Sequence, residues 1–133
     1  MGVLIDSSVL IAAERGALDL GEVIERCEDE PVAISAITAS ELLHGVHRLK
    51  GGVSRARSDV FVEALLRRLP VIPFDLSVAR AHAALGADLR ARGRAVGPHD
   101  LIIAATAVSL DYAVATRDRR SFPRIPGLEM LYW

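Results

Sequence analysis

The chain has 133 residues, 51% of them hydrophobic and 25% charged, with a formal net charge of −1 at pH 7. That length suits a single domain, residues 1–133, with one core, and the composition excludes a disordered, collagenous or disulfide-stapled chain. Cys27 has no second cysteine to pair with, Met1 to Ser8 lack the basic stretch of a secretory signal, and the longest later apolar run, Leu101 to Leu110, is about half a membrane span, so a soluble cytoplasmic protein is expected.

Val3-Leu4-Ile5 is a short aliphatic strand ending at Asp6-Ser7-Ser8. The apolar residues from Val9 to Ala12 then read as a helix capped by Asp6 or one of the serines. Leu18 to Cys27 predicts a second helix, and Pro31-Val32-Ala33-Ile34 a second buried strand. From Thr38 the spacing of Leu42, Val46 and Leu49 predicts a helix to about Lys50, stopped by Gly51-Gly52. Phe61, Leu65 and Leu69, with Val62 and Leu66 beside them, mark the next helix. Pro70 to Phe74 gives a third strand, whose two prolines place it at a sheet edge because a central strand cannot lose those ladder donors. Val78, His82, Leu85 and Leu89 stripe a long helix ending near Gly93, with His82 read as a core residue. Pro98 opens a helix that is apolar nearly all round from Leu101 to Val108 and therefore central. Tyr112 to Ala115 and Leu128 to Tyr132 supply the fourth and fifth strands.

Strands alternating with helices predict an α/β fold with one parallel sheet covered on both faces. In such a sheet the carboxyl ends of the strands share one edge, and ligands bind in the crevice there. Asp6 and Asp118 belong to that edge because each directly follows a strand. Glu41, three residues after Thr38, and Asp100, two after Pro98, join them if their helices begin beside it.

Each acid alone has a plainer explanation. Asp6 can cap a helix, Thr38-Ala39-Ser40-Glu41 matches a capping box, Asp100 suits the first turn of a helix, and Asp118 can finish a turn. Jointly the balance changes, because two carboxylates about 4 Å apart repel by roughly 4 kcal/mol at an effective dielectric of about 20. A divalent cation removes that cost, and oxygen donors without Cys or His point to Mg²⁺ or Mn²⁺. The chemistry such a centre suits best is phosphodiester hydrolysis. Glu41, whose longer arm springs from a helix, is the candidate to orient or deprotonate the attacking water.

At these four acids the chain resembles the PIN-domain ribonucleases, in particular the VapC-like toxins of type II toxin–antitoxin pairs. The resemblance rests on Val3-Leu4-Ile5-Asp6-Ser7-Ser8-Val9-Leu10-Ile11, on Ser35-Ala36-Ile37-Thr38-Ala39-Ser40-Glu41-Leu42, on the run from His99 to Ala107 and on Ala115-Thr116-Arg117-Asp118-Arg119-Arg120-Ser121-Phe122, in that order and spacing. It implies a three-layer fold with a five-stranded parallel sheet in the order 3-2-1-4-5. It also implies Mg²⁺- or Mn²⁺-dependent endoribonuclease cleavage of structured RNA (tRNA or rRNA) to leave a 5′-phosphate, and neutralisation by a small cognate antitoxin whose tail lies over the site. A homodimer, or a heterotetramer with the antitoxin, goes with it. By position Asp6, Asp100 and Asp118 take the metal-facing places, Glu41 the place near the attacking water, and Ser8 and Thr116 those of supporting hydroxyls. The family often carries a further acid just before the phenylalanine; this chain has Ser121 there, which bears on how firmly a second metal is held.

Rival readings lack their residues. Phosphoaspartate phosphatases need a second Asp where this chain has Ser8, no GxGxxG or P-loop occurs, and Glu41-Leu42-Leu43-His44 is half of a di-iron pattern without its other copy. His44 and His47 read as surface residues. The alternative of a different class is a PIN-shaped domain that binds RNA or protein without cleaving it, and the presence of all four acids weighs against that. Fifteen arginines against Lys50 alone mildly favour a phosphate-rich partner. Arg55, Arg57, Arg117, Arg119, Arg120 and His99 are the candidates to meet RNA, with ordinary solvated charge as their plain reading. A helical partner tail is expected to dock where Leu10, Ala13 and Leu18 meet Phe61 and Leu65.

Overall fold

The computed structural model describes residues 1–133, the side chain of Pro123 excepted. In chain order it contains β1 (Val3–Ile5), α1 (Ser7–Glu14), α2 (Leu20–Glu25), β2 (Val32–Ser35), α3 (Ala36–Arg48), α4 (Gly52–Arg68), β3 (Val71–Ile72), α5 (Leu76–Ala91), α6 (Pro98–Leu110), β4 (Ala113–Thr116), a 3₁₀ turn (Phe122–Arg124) and β5 (Met130–Tyr132). The five strands pair in parallel in the order β3-β2-β1-β4-β5. This is the expected sheet, with the proline-flanked strand at its edge.

Strand side chains alternate between faces, and the core divides accordingly. Val3, Ile5, Ile34 and Ala115 point to one face and pack against α1, α3 and α4 through Val9, Leu10, Leu42, Val46, Val62 and Leu65. Leu4, Ala33 and Val114 point to the other, where Ile103, Ala104 and Ala107 of α6 meet Leu89 of α5 and Phe122 of the 3₁₀ turn. The result is three layers, helices on sheet on helices. The chain winds from β1 outward to β3, returns through α5 and α6, and enters β4 on the other side of β1. Strand order therefore reverses between β1 and β4, the point in such sheets where ligands bind beside the carboxyl ends of the strands.

Some local details differ from the sequence reading. Helix α3 begins at Ala36, not Thr38, and is capped by Ser35, whose Oγ accepts from the Thr38 N–H at 3.2 Å. Leu49 lies past the end of α3 and is exposed, because the chain turns out through Gly51, at φ 107°, into α4. His82 is half-buried at the rim of the protein, edge-to-face on the exposed ring of Phe74 with centroids 5.6 Å apart, and is not a core residue.

Between α2 and α4 an apolar groove of about 450 Å³ is lined by Ala13, Leu18, Leu20, Ile24, Phe61 and Leu65 among others. This is where a partner helix was expected, except that Leu10 lies fully buried beneath it. No helix among the described residues is long and apolar enough to cross a membrane.

Candidate active site

The crevice between β1 and β4 is built first around Asp6. Its backbone N–H donates to Ala115 O at 2.9 Å, which fastens the end of β1 to β4. Asp6 occupies the N-cap position of α1, yet its side chain caps nothing. Instead Oδ2 accepts from the Ser8 hydroxyl at 2.7 Å and from Thr116 Oγ1 at 2.8 Å, and the residue is 3% exposed. Ser8 in turn accepts from the Arg117 N–H at 3.0 Å, and Thr116 from the Asp118 N–H at 2.9 Å. The two hydroxyls thus bind the carboxylate and the start of the fourth segment into one unit. Both bonds fall on Oδ2, one from a neighbour two residues on and one from the end of β4.

Glu41 arrives from α3. Because Ser35 is the cap, Glu41 sits in the second turn and serves no capping box. Its Oε1 is buried and without a hydrogen-bond partner, while Oε2 accepts from Ser7 Oγ at 3.4 Å and faces His99 Nδ1 at 3.8 Å. Burial pushes the Glu41 carboxyl above the usual range; the His99 charge opposes this, and the Asp6 and Asp100 charges add to it.

Asp100 lies in the first turn of α6, behind the Gly97 cap and Pro98. Its pKa is also raised, by burial first; Ser121, placed to donate toward it, acts the other way, and the charges of Asp6 and Asp118 push it higher. Asp118 completes its own turn, with Oδ1 accepting from the Arg120 N–H at 2.8 Å. So the plain explanation holds for one oxygen of Asp118, fits the position of Asp100, and fails for the side chains of Asp6 and Glu41.

The acids feel one another's charge in a chain, Glu41 with Asp6 and Asp100, and Asp100 with Asp6 and Asp118. Among the described residues no three acidic, His or Cys side chains converge into a ready metal cage. Their chemistry nevertheless fits a hard cation: the donors are all oxygens, Glu41 Oε1 is buried and unsatisfied, and two of the carboxyls resist ionisation partly because of the others. An unpaired buried carboxylate oxygen costs free energy that a positive charge offsets.

Of the remaining candidates, Arg117 donates through Nη1 to Trp133 O at 3.1 Å, and Arg119 stacks on the Tyr132 ring with its guanidinium carbon 4.1 Å from the centroid. Arg120 is exposed. Arg55 and Arg57 lie on α4, Arg55 facing His47 Nδ1 at 3.5 Å, and His44 is exposed on α3. Sequence reasoning passed over Ser7, which sits between two residues already singled out. It also passed over Tyr132, which no local pattern connects to the fourth segment.

A PIN-domain family model matches residues 3–128. The chain is 33% identical over 131 residues to the Ribonuclease VapC of Rickettsia bellii, covering 98% of this chain and 96% of that one. It is 34% identical over 102 residues to the tRNA(fMet)-specific endonuclease VapC of Salmonella typhimurium, covering 77% and 75%. Among solved structures, the DNA-bound VapBC of Salmonella typhimurium superposes with a TM-score of 0.88 at 28% identity, over 100% of this chain and 98% of that one. With its sheet order, its crevice and these matches in agreement, the chain belongs to the PIN-domain family and, within it, to the VapC ribonucleases.

Proposed function

We propose that this chain is a Mg²⁺- or Mn²⁺-dependent endoribonuclease toxin that hydrolyses phosphodiester bonds of structured RNA and is neutralised by a small cognate antitoxin in the cytoplasm. The observation that carries the reading is the buried, unpartnered Oε1 of Glu41 beside two further acids, a placement that folding alone does not reward. Relatives named as a ribonuclease and as a tRNA(fMet)-specific endonuclease support RNA, and tRNA within it, as the substrate class. Neighbours solved as VapBC complexes support the antitoxin.

Asp6, Asp100 and Asp118 would hold the cation. When bound, it lowers the pKa of a coordinated water and screens charge gathering on the phosphate oxygens. Ser8 and Thr116 fix the Asp6 carboxylate through Oδ2. Glu41 takes the proton of the attacking water; burial raises its carboxyl above the usual range, which strengthens it as a base. His99, 3.8 Å from Glu41, favours the ionised carboxylate that accepts the proton and lies exposed for phosphate contact. Arg117, Arg119 and Arg120 flank Asp118 and hold the phosphates on either side of the cut. The working assembly is a homodimer, or a heterotetramer with the antitoxin.

The test is Mg²⁺-dependent hydrolysis of total RNA by the purified chain and by Asp6→Asn. Cleavage that EDTA and the substitution both abolish is expected; equal cleavage by the two proteins overturns the proposal. Sequencing the 5′ ends after induction identifies the RNA.

A further inference from the structure

Next to the acidic crevice lies a recess of about 200 Å³ lined by Arg117, Arg119, Tyr132 and Trp133. Its position follows from the sheet. Parallel β5 is in register with β4 so that Tyr132 pairs with Thr116, the residue whose hydroxyl holds Asp6. The Trp133 N–H donates to Thr116 O at 3.2 Å, and Arg117 Nη1 donates to Trp133 O at 3.1 Å, so both aromatic residues are tied to the segment that carries Asp118. Tyr132 is nonetheless 40% exposed, and the guanidinium carbon of exposed Arg119 already sits over its ring, 4.1 Å from the centroid.

We infer that this recess is a stacking subsite for a nucleobase of the RNA chain beside the scissile phosphodiester. The inference rests on the ribonuclease reading and adds a residue set to it. An acidic centre repels a polyanion, so the substrate needs cationic and planar groups on its flanks. The recess supplies two guanidiniums and two aromatic rings, with no acidic side chain among its lining residues. A guanidinium seated on a ring presents its own planar face to the next flat group, so the Arg119–Tyr132 pair extends naturally to a third member. Base–aromatic stacking tolerates any sequence, which suits a contact beside the cut and leaves selection of the cleavage site to other surfaces.

The experiment compares binding of a short fluorescein-labelled single-stranded RNA with that of a ribose-phosphate chain of equal length lacking bases, by anisotropy in EDTA so that nothing is cut. Phosphate attraction is common to both and cancels. Wild type is expected to prefer the RNA by at least about fivefold, the lower end of what one base–aromatic stack contributes. Tyr132→Leu and, separately, Arg119→Leu should close that gap, and Tyr132→Phe should keep it. Arg119 is exposed, so its variant reads the subsite even where Tyr132→Leu does not fold. A gap unchanged in the variants, or absent in wild type, overturns the inference. So does an oligoglutamate peptide that binds as tightly as RNA and loses the same factor, since the recess then takes acidic chains in general. Hydrolysis of bis(p-nitrophenyl) phosphate with Mn²⁺ reads the acidic centre without a nucleobase. If wild type cleaves neither that ester nor RNA while the gap closes as stated, the ribonuclease reading falls and the subsite stands. Cleavage of both with an unchanged gap leaves the reverse.

Discussion

A carboxylate that caps its own helix stabilises the fold, whereas Glu41 and Asp100 hold carboxyls whose ionisation the fold penalises. Both have folded pKa values raised above their unfolded ones, chiefly by burial. For a raised acid the penalty is fully present above the folded pKa and fades as pH falls toward the unfolded value, about 4. Glu41→Gln is therefore expected to melt higher than wild type in EDTA at about pH 8, with the difference closing by about pH 4, and to lose RNA hydrolysis. Thermal melts at the two pH values check this, and a variant that melts lower at the upper pH contradicts it. Thr116 is the opposite case. It is fully buried, donates to Asp6 and accepts from the Asp118 N–H, so Thr116→Val strands both partners. A loss of about 1–3 kcal/mol in urea unfolding is expected, together with impaired cleavage. Normal stability and activity in that variant would show that the hydroxyl holds nothing.

Helix α3 shows what a sequence can and cannot tell about an element. Its existence and buried face were legible from Leu42 and Val46. Its start was not, because Ser35 and Thr38 are both good caps and differ only in where strand β2 happens to end. The choice matters: with Ser35 as cap, Glu41 leaves the first turn and is free for the crevice. Ser35 is buried and also donates to Thr38 Oγ1 at 3.0 Å. Ser35→Ala should cost about 1 kcal/mol, with a fall in melting temperature of a few degrees, and a melting curve unchanged from wild type would argue that another group caps α3. The same limit applies elsewhere. Helical spacing placed His82 on the apolar stripe of α5, but spacing does not say how far the neighbouring helix reaches, and α6 leaves His82 to Phe74 at the rim. Asp6 and Asp100 are marked by standing at a strand end and a helix start, whereas Glu41, in the second turn of α3, is marked only by its helix. The contact of Arg119 with Tyr132 was not legible, since it depends on the register of β5 against β4.

At the scale of the whole molecule, the acids at the β1/β4 strand ends and the apolar groove are two separate surfaces. The crevice lies at the carboxyl ends of the strands, while the apolar groove between α2 and α4 lies on the helical layer over one face. A substrate needs only the first. The groove, with Leu20 and Phe61 half-buried along it, offers apolar area without contributing to the chemistry, and that is what an inhibitor helix requires. Leu20→Asp and Phe61→Asp put an uncompensated charge against a partner's apolar face, a change that weakens docking strongly, yet both positions lie away from the acids. On co-expression with the neighbouring small reading frame, wild type is expected to co-purify with its product and both variants to lose it, while each purified variant keeps wild-type RNA hydrolysis. Retention of the partner by both variants would move the docking surface away from the groove. Loss of hydrolysis in both, with a normal melting curve, would show instead that the groove and the crevice are coupled through α1, which lies between them and begins at the residue after Asp6.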